Sequence, residues 1–237
     1  MPVVVLNNRD HKQLKVQPPA DFNYLANVHM LPLVMQECGH AGNEYPVVFT
    51  KKEGTEDFQL VAIFGLSPAS NLFVKDGQWL GLYMPAIIQN IPFKIINDAN
   101  QPENMVLGLD TDSEIVSEEE GEALFDADGN ETEFLQAMKE SVGKYYEQDQ
   151  MTQAAVKALK ELEVLVECDL TVGVGEQRIR LDGVYTTDIV KLRELPDDTF
   201  IDLRNSDLLP LLYAQMFSIN QFHRLSRLES ASTTPSD

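Results

Sequence analysis

Residues 79–93 read WLGLYMPAIIQNIPF and contain the only tryptophan of the chain. Gly81 can adopt backbone angles that a residue with a Cβ resists, whereas Pro85 and Pro92 each fix φ and remove a hydrogen-bond donor. Because proline is favoured in the first turn of a helix, we predict a short helix over residues 86–90 that ends before Pro92. A strand is predicted to follow directly. The stretch is therefore a junction of turn, helix and strand.

Pairs of β-rich runs lie on both sides of this junction, and each pair is separated by a polar or glycine-containing turn. The first pair consists of residues 45–50 and 58–64, with Gly54 in the turn. Such pairs are typical of antiparallel hairpins. Two further hairpins are predicted, which pair 93–96 with 105–109 and 170–172 with 179–181.

The second part of the chain has the apolar spacing of helices. Phe134 and Met138 begin a four-residue repeat after Thr132, a residue type that caps helices well. We predict one helix there, a second helix over residues 156–162 and a final helix over residues 211–227.

These patterns predict the α+β fold class, with an antiparallel, strand-rich N-terminal part that contains hairpins and a helical C-terminal part. The strand-rich part covers residues 1–129 and the more helical part covers residues 130–228. We expect the two parts to form a single domain, 1–228. A disordered tail is expected over residues 229–237, which are rich in Ser and Thr.

The chain is strongly acidic, because 38 Asp and Glu residues against 18 Lys and Arg residues give a formal net charge of -20. A field of that sign opposes binding to nucleic acid or to an anionic membrane. The apolar run 208–217 is interrupted by Pro210 and falls short of the roughly 20 residues of a membrane span. Two cysteines are too few for a disulfide scaffold. We expect a cytoplasmic protein that neither binds nucleic acid nor spans a membrane.

No metal site is predicted from the histidines and cysteines. Cys38 and His40 form the only short-spaced pair, with His29 nine residues before Cys38. A zinc site needs four ligands, usually in two such pairs. We therefore interpret Cys38 as a buried structural residue and His40 as a surface residue.

The acidic segment after residue 109 has part of the pattern of a calcium-binding loop. Asp110, Asp112 and Glu114 alternate as calcium ligands do. However, Ile115 occupies the sixth position, which requires glycine, and Gly121 occupies the twelfth, which requires glutamate. A solvated loop is the expected structure, with weak surface binding of cations as the alternative.

Signatures of nucleotide binding and of serine hydrolases are absent from the sequence. There is no Gly-x-Ser-x-Gly, no P-loop lysine and no Gly-x-Gly-x-x-Gly after a strand. No cofactor is therefore assigned.

The run Trp79-x-Gly81-x-Tyr83-x-Pro85, followed by Pro92-Phe93, resembles the signature of the bacterial SapC family. Other blocks that resemble the family occur in order over roughly residues 1–228. They are His29-x-x-Pro32, 44–49, 121–126, 181–185, 195–197 and 211–215.

The resemblance implies an accessory or enzymatic role in handling a small molecule or a peptide. Members of the family often occur near genes for outer-membrane receptors, cupin-like oxygenases and flavin-dependent halogenases. That association is an analogy and names no reaction for this chain. A membrane permease role, a label that many members carry, is not expected, since no membrane span is predicted.

Two hypotheses follow, and the first is preferred. It is a binding or accessory protein in which Trp79, Tyr83 and Phe93 line a groove for a small molecule, a peptide or a protein partner. The alternative position for these rings is the apolar core. Assembly into a homo-oligomer is left open.

The second hypothesis is an enzyme that acts on a small molecule or peptide, with His29 as a base or metal ligand. Glu37 or Glu44 would be the accompanying carboxylate, and Tyr83 could assist. A helix would place Glu37 about two turns after His29 on the same face.

Overall fold

A computed structural model describes residues 3–98, 101 and 103–233 of the chain. The chain forms two compact units, of which the first comprises 1–21 and 86–147 and the second 22–85 and 148–237. The predicted α+β class is confirmed. A single domain over 1–228 stays a prediction.

The bounds of the described elements are as follows. The strands are β1 Val3–Val5, β2 Lys15–Val16, β3 Met30–Pro32, β4 Val47–Lys51, β5 Phe58–Ile63, β6 Val74–Lys75, β7 Gln78–Trp79, β8 Phe93–Asn97, β9 Met105–Asp110, β10 Val116–Ser117, β11 Glu122–Ala123, β12 Leu165–Glu167, β13 Leu170–Val174, β14 Gln177–Leu181 and β15 Tyr185–Thr187. The α-helices are α1 Cys38–Ala41, α2 Ala86–Gln89, α3 Glu133–Glu161, α4 Ile189–Glu194, α5 Asp197–Asn205, α6 Leu208–Ser218 and α7 Phe222–Thr233. Short 3₁₀ turns cover Asn23–Leu25, Met35–Glu37 and Ile219–Gln221.

The first unit contains two small antiparallel sheets, β1-β9-β8 and β10-β2-β11. The predicted hairpin is confirmed, because Phe93 of β8 lies opposite Leu109 of β9. Positions 99, 100 and 102 of its predicted turn lie outside the described residues. The predicted short helix is also confirmed, as α2. An apolar core forms from Val16, Phe93, Leu109, Leu124, Phe125, Leu135 and Val142.

The second unit is organised by a five-stranded antiparallel sheet with the order β12-β15-β4-β5-β3. The predicted hairpin of β4 and β5 lies at its centre and is confirmed, with Val48 opposite Val61. Val47, Val48 and Phe49 are 0% exposed, as expected of an unbroken apolar run that is covered on both faces. The third predicted hairpin, β13 with β14, is confirmed and turns at residues 175 and 176.

Helix α6 is joined to the sheet by polar side chains as well as by apolar packing. The Gln215 side chain is fully buried, and its Oε1 accepts hydrogen bonds from the N–H and the hydroxyl of Thr187 at 3.1 and 2.9 Å. Its Nε2 donates to the carbonyl of Val47 at 3.1 Å. Ser218 accepts the N–H of Val47 at 2.9 Å. One helix therefore satisfies polar groups of both β4 and β15.

The prediction of two helices between residues 132 and 162 is wrong, since α3 is one helix of 29 residues. No proline occurs in it, so nothing removes a backbone hydrogen bond between the two predicted segments. The two apolar sides differ because Val142 packs in the core of the first unit and Leu159 in the core of the second. The predicted cap is confirmed, because Leu135 N–H donates to Thr132 Oγ1 at 3.2 Å.

The final helix also differs from the prediction. It begins three residues earlier, at Leu208, and is divided into α6 and α7 by a 3₁₀ turn. Pro210 does not prevent the early start, since it lies in the first turn, where no N–H is needed within the helix. α7 continues to Thr233, so residues 229–233 of the expected disordered tail are helical. The remainder, 234–237, lies outside the described residues.

We predict that Gln215→Met destabilises the protein. The substitution leaves the Thr187 N–H and the Val47 carbonyl buried without their partner, and each such group costs about 1–3 kcal/mol. Urea unfolding measures the free energy. The matched control is Gln150→Met, an exposed position of α3, where we expect a change within about 0.5 kcal/mol. Equal stability of the two variants would contradict the role assigned to Gln215.

Candidate functional site

Four of the six candidate residues come together in the second unit. Glu37 lies in a 3₁₀ turn, Glu44 just before β4, Trp79 at the end of β7 and Tyr83 in the segment after β7. Hydrogen bonds join both carboxylates to residues 82 and 83. We call residues 79–85 the tryptophan loop.

Glu44 fixes the backbone of the tryptophan loop. Its carboxylate is 7% exposed and accepts the N–H of Leu82 at 2.8 Å and the N–H of Tyr83 at 3.0 Å. Arg224 Nη1 lies 3.6 Å from Glu44 Oε2. Burial of an ionised carboxylate costs several kcal/mol unless it is paired and hydrogen-bonded. Both oxygens are engaged here, so the carboxylate stabilises one conformation of the loop.

The carbonyl of Tyr83 is fixed as well. It accepts a hydrogen bond from Trp79 Nε1 at 3.2 Å and another from the hydroxyl of Tyr45. Tyr45 is fully buried, so its donor reaches the loop from the core. With Glu44 on the N–H side, both backbone polar groups of Tyr83 have partners inside the protein.

Gly81 is required by close packing rather than by an unusual backbone angle. A Cβ added there would lie 1.9 Å from Tyr45 Oη and 2.8 Å from Trp79 Nε1. Such distances are far below van der Waals contact. The glycines with positive φ in the described residues do not include Gly81. The sequence correctly indicated that Gly81 is important for the loop, but the reason given, its freedom of backbone angles, is wrong.

The Trp79 ring packs at the edge of an aromatic cluster. Its centroid lies 5.4 Å from that of Phe64, 6.2 Å from Tyr45 and 6.3 Å from Phe73. The first two contacts are edge-to-face, a preferred arrangement of aromatic pairs. Arg224 lies over the Phe73 ring at 5.1 Å. The half-buried Trp79 thus connects the loop to the core, and its role toward a ligand stays a prediction.

The side chain of Tyr83 contacts a second carboxylate. Its hydroxyl donates to Glu37 Oε1 at 2.6 Å, and Glu37 Oε2 accepts the N–H of Val34 at 3.2 Å. Burial first, and then the hydrogen bond and charge of Glu37, raise the pKa of Tyr83. The group is therefore a neutral hydroxyl near pH 7 and a donor rather than a base. The exposed ring of His40 stacks on Tyr83, with centroids 5.7 Å apart.

The Cys38 thiol is 1% exposed, and burial raises its pKa to about 12. A thiolate, which is the nucleophile and metal ligand, is disfavoured in this position. Cys38 is thus buried and His40 exposed, as the sequence predicted.

His29 and Phe93 take no part in the hydrogen bonds described above. His29 immediately precedes β3, and its carbonyl accepts the N–H of Phe64 at 2.7 Å. The helix expected to align His29 with Glu37 is wrong, because residues 30–32 form a strand. The hydrogen bonds that join the carboxylates to Tyr83 do not involve His29. Phe93 is 4% exposed and packs in the core of the first unit. It is therefore not one of the residues around the tryptophan loop.

Within residues 3–98, 101 and 103–233, no group of three or more His, Cys, Asp and Glu side chains is arranged to hold a metal ion. The expected solvated loop after residue 109 is only partly found, since the segment contains two short strands, β10 and β11, that both pair with β2. Asp112 and Glu114 lie in the turns before β10. Across the same part of the chain, no helix is both long and apolar enough to cross a membrane.

Four residues of the site were not predicted from the sequence. Tyr45 contacts Tyr83, which lies 38 positions away in the chain, and Arg224 contacts Glu44, which lies 180 positions away. No local sequence pattern predicts such contacts. Leu82 is 96% exposed and Leu80 is 46% exposed. The sequence shows that these two leucines lie within the tryptophan motif, but it does not show that their side chains point outward.

Fold and site together define an α+β protein in which buried carboxylates and aromatic rings hold one loop in place. The model of the SapC family matches residues 6–225. The chain belongs to the SapC family, as the motifs indicated. No curated protein and no solved structure matches the chain significantly.

We predict that Gly81→Ala shifts the tryptophan loop and destabilises the protein by about 1–3 kcal/mol, the usual penalty of overpacking. Because Trp79 is the only tryptophan, its fluorescence reports the change directly, and urea unfolding gives the free energy. Gly39→Ala is the matched control, since a Cβ there meets nothing within 4 Å. The close-packing explanation fails if both variants keep the wild-type emission and stability.

We predict that stability falls as the pH rises above about 10, the ordinary pKa of tyrosine. The raised pKa of Tyr83 means that the folded protein holds the phenolic proton more tightly than the unfolded chain. That stabilisation is complete below about pH 10 and is lost as the pH rises through the raised pKa. Urea unfolding of wild type, Tyr83→Phe and the exposed control Tyr213→Phe measures it. Only Tyr83→Phe should show a weaker decline, and an unchanged decline would contradict the assignment.

Proposed function

We propose that the protein is a binding or accessory protein that recognises a peptide or protein partner through the tryptophan loop. Leu82 is the apolar anchor that enters a pocket of the partner. The observation that carries this proposal is the combination of a 96% exposed leucine side chain with a backbone N–H held by the buried carboxylate of Glu44.

Exposure of one leucine is ordinary, so the rigidity behind it matters more. Glu44, Tyr45 and Trp79 all bind the backbone of residues 82 and 83. A loop that is already ordered loses less conformational entropy when a partner binds. Its exposed side chains can then contribute most of their burial energy to affinity, as anchor residues do in interfaces.

The composition of the segment supports the same proposal. Residues 77–85 contain no Asp, Glu, Lys or Arg, although 24% of the chain is charged. Leu80 adds a second exposed apolar side chain beside Leu82. Depletion of charge is a feature of interface centres, because buried charges without partners oppose association.

An enzyme is the second candidate, and one observation favours it. The Tyr83 hydroxyl donates to the Glu37 carboxylate at 2.6 Å, and the Tyr83 ring stacks on the exposed His40 ring. A hydroxyl that is hydrogen-bonded to a carboxylate can take part in proton transfer. The two oxygens of Glu44 are already engaged with backbone groups, so Glu44 favours the binding role.

The test places a photo-crosslinking amino acid at position 82 in cells that express the protein. The matched control position is Val190, which is 57% exposed. The binding proposal expects a partner captured at position 82 and not at position 190. Equal capture at both positions, or no capture, contradicts it. Capture of a second copy of this chain would assign the loop to self-assembly instead.

The captured partner is then purified, and its Kd is measured with variants. We predict that Leu82→Ser weakens binding at least about tenfold, since burial of a leucine contributes about 1.5–3 kcal/mol and 1.4 kcal/mol is tenfold. Leu82→Met and Val190→Ser should retain the wild-type Kd within a few-fold. An unchanged Kd for Leu82→Ser would remove the anchor role.

Tyr83→Phe separates binding from catalysis. It removes the hydroxyl on Glu37 but keeps the peptide group that Glu44 holds. Binding through Leu82 should therefore persist in this variant. A change in the mass of the partner that occurs with wild type and not with Tyr83→Phe would support the enzyme.

A further inference from the structure

A cavity of about 330 Å³ in the second unit lies apart from the contacts of the tryptophan loop. It lies between the C-terminal half of α3 and residues of β3 and β5. Its apolar floor includes Leu33, Leu60 and Val156, which are buried, together with Pro32 and Phe58, which are half-buried and offer accessible apolar surface. This volume is at the lower end of the range for small-molecule sites, about 300–1,000 Å³. The cavity is therefore suited to a small ligand.

Two opposite charges line this cavity without neutralising each other. Lys52 and Asp149 are both half-buried at its wall, and neither is a member of an ion pair formed among the residues that the structure describes. Of the three acidic residues in the β4–β5 turn, Glu53 is exposed and does not line the cavity, and the other two have partners elsewhere. Glu56 pairs with Lys51 at 2.5 Å and Asp57 with Lys160 at 3.4 Å.

The walls of the cavity are fixed before any ligand binds. Thr152 accepts the N–H of Met35 at 2.8 Å and donates to the carbonyl of Gln148 at 2.7 Å. These bonds hold α3 against the segment that supplies Leu33. Gln153 donates to Asp149 Oδ2 at 2.6 Å and orients that carboxylate. A preformed site of this kind loses little entropy on binding.

We infer that this cavity binds a small zwitterion with an apolar side chain, of which a free apolar amino acid is the simplest example. The ligand carboxylate binds Lys52, its ammonium group binds Asp149, and its side chain covers the apolar floor. Nothing in this inference depends on the tryptophan loop.

The charges exclude simpler ligands. An anion without an ammonium group meets the Asp149 carboxylate and the field of a chain whose formal net charge is -20. A cation without a carboxylate meets Lys52 at close range. A wholly polar zwitterion gains nothing from the accessible apolar surface of Pro32 and Phe58. Only a ligand with both charges and an apolar side chain satisfies all three parts of the wall.

The test is an NMR titration of the ¹⁵N-labelled protein with L-leucine. Two analogues each lack one charge, since leucinamide has no carboxylate and 4-methylpentanoate has no ammonium group. We expect saturable shifts at residues around the cavity with a Kd of about 1 mM or tighter, given the size of leucine. Each analogue should bind at least about tenfold more weakly, the effect of losing one charge-assisted hydrogen bond.

Variants assign the two charges. Lys52→Met should reduce the affinity for leucine to that for leucinamide, and Asp149→Asn should reduce it to that for 4-methylpentanoate. Lys51→Met is the matched control, because its ammonium pairs with Glu56 and does not line the cavity. Leu82→Ser, which tests the proposed function, should bind leucine as wild type does.

Three results would overturn the inference. The first is the lack of saturable shifts up to about 10 mM leucine, a concentration well above the expected Kd. The second is equal binding of leucine and both analogues. The third is a set of shifts that lies away from the cavity or persists unchanged in Lys52→Met and Asp149→Asn.

Discussion

The buried carboxylate of Glu44 is the constraint on which the shape of the tryptophan loop depends. A carboxylate that is 7% exposed is stable only when its oxygens are satisfied, and here two backbone N–H groups and Arg224 satisfy them. Arg224 also donates to the carbonyl of Glu44 at 3.3 Å and lies over the Phe73 ring. One cation thus links α7, the aromatic cluster and the carboxylate, so the loop cannot move without exposing or breaking several polar contacts at once.

The tryptophan motif divides its residues between two tasks. Trp79 and Tyr83 supply the inward contacts, Gly81 permits the close approach of Tyr45, and Pro85 is buried. The intervening Leu80 and Leu82 point outward. The residues that carry the resemblance to the SapC family are therefore those that build the loop, and the recognition that we propose uses the residues between them. The motif therefore identifies the structure of the loop, and not the molecule that the loop binds.

Local patterns were sufficient for the three hairpins and for α2, and they failed where distant residues decide. Hairpins such as β4–β5 can be predicted from β-rich runs on either side of a short turn. Thr132, a capping residue, correctly predicts the start of α3. The continuity of α3 was missed because its two apolar sides belong to different cores, which gives no uninterrupted repeat. The pairing of Tyr83 with Glu37 across 46 positions has no local signal. Titratable residues could be named as candidates, but only tertiary structure shows which of them bind Tyr83, namely Glu37 and Glu44.

Electrostatic attraction acts over a longer distance than apolar contact, and the second unit offers both kinds of interaction. A formal net charge of -20 acts over roughly a Debye length, about 8–10 Å at physiological salt, and favours partners with a basic rim. At contact distance the tryptophan loop offers no charge at all, so the affinity of the proposed partner must come from burial of Leu80 and Leu82. In the ligand site that we infer near Lys52, by contrast, two unneutralised charges select the ligand and an apolar floor retains it. In these proposals, electrostatic attraction governs the approach of the partner to the loop and the selectivity of the cavity.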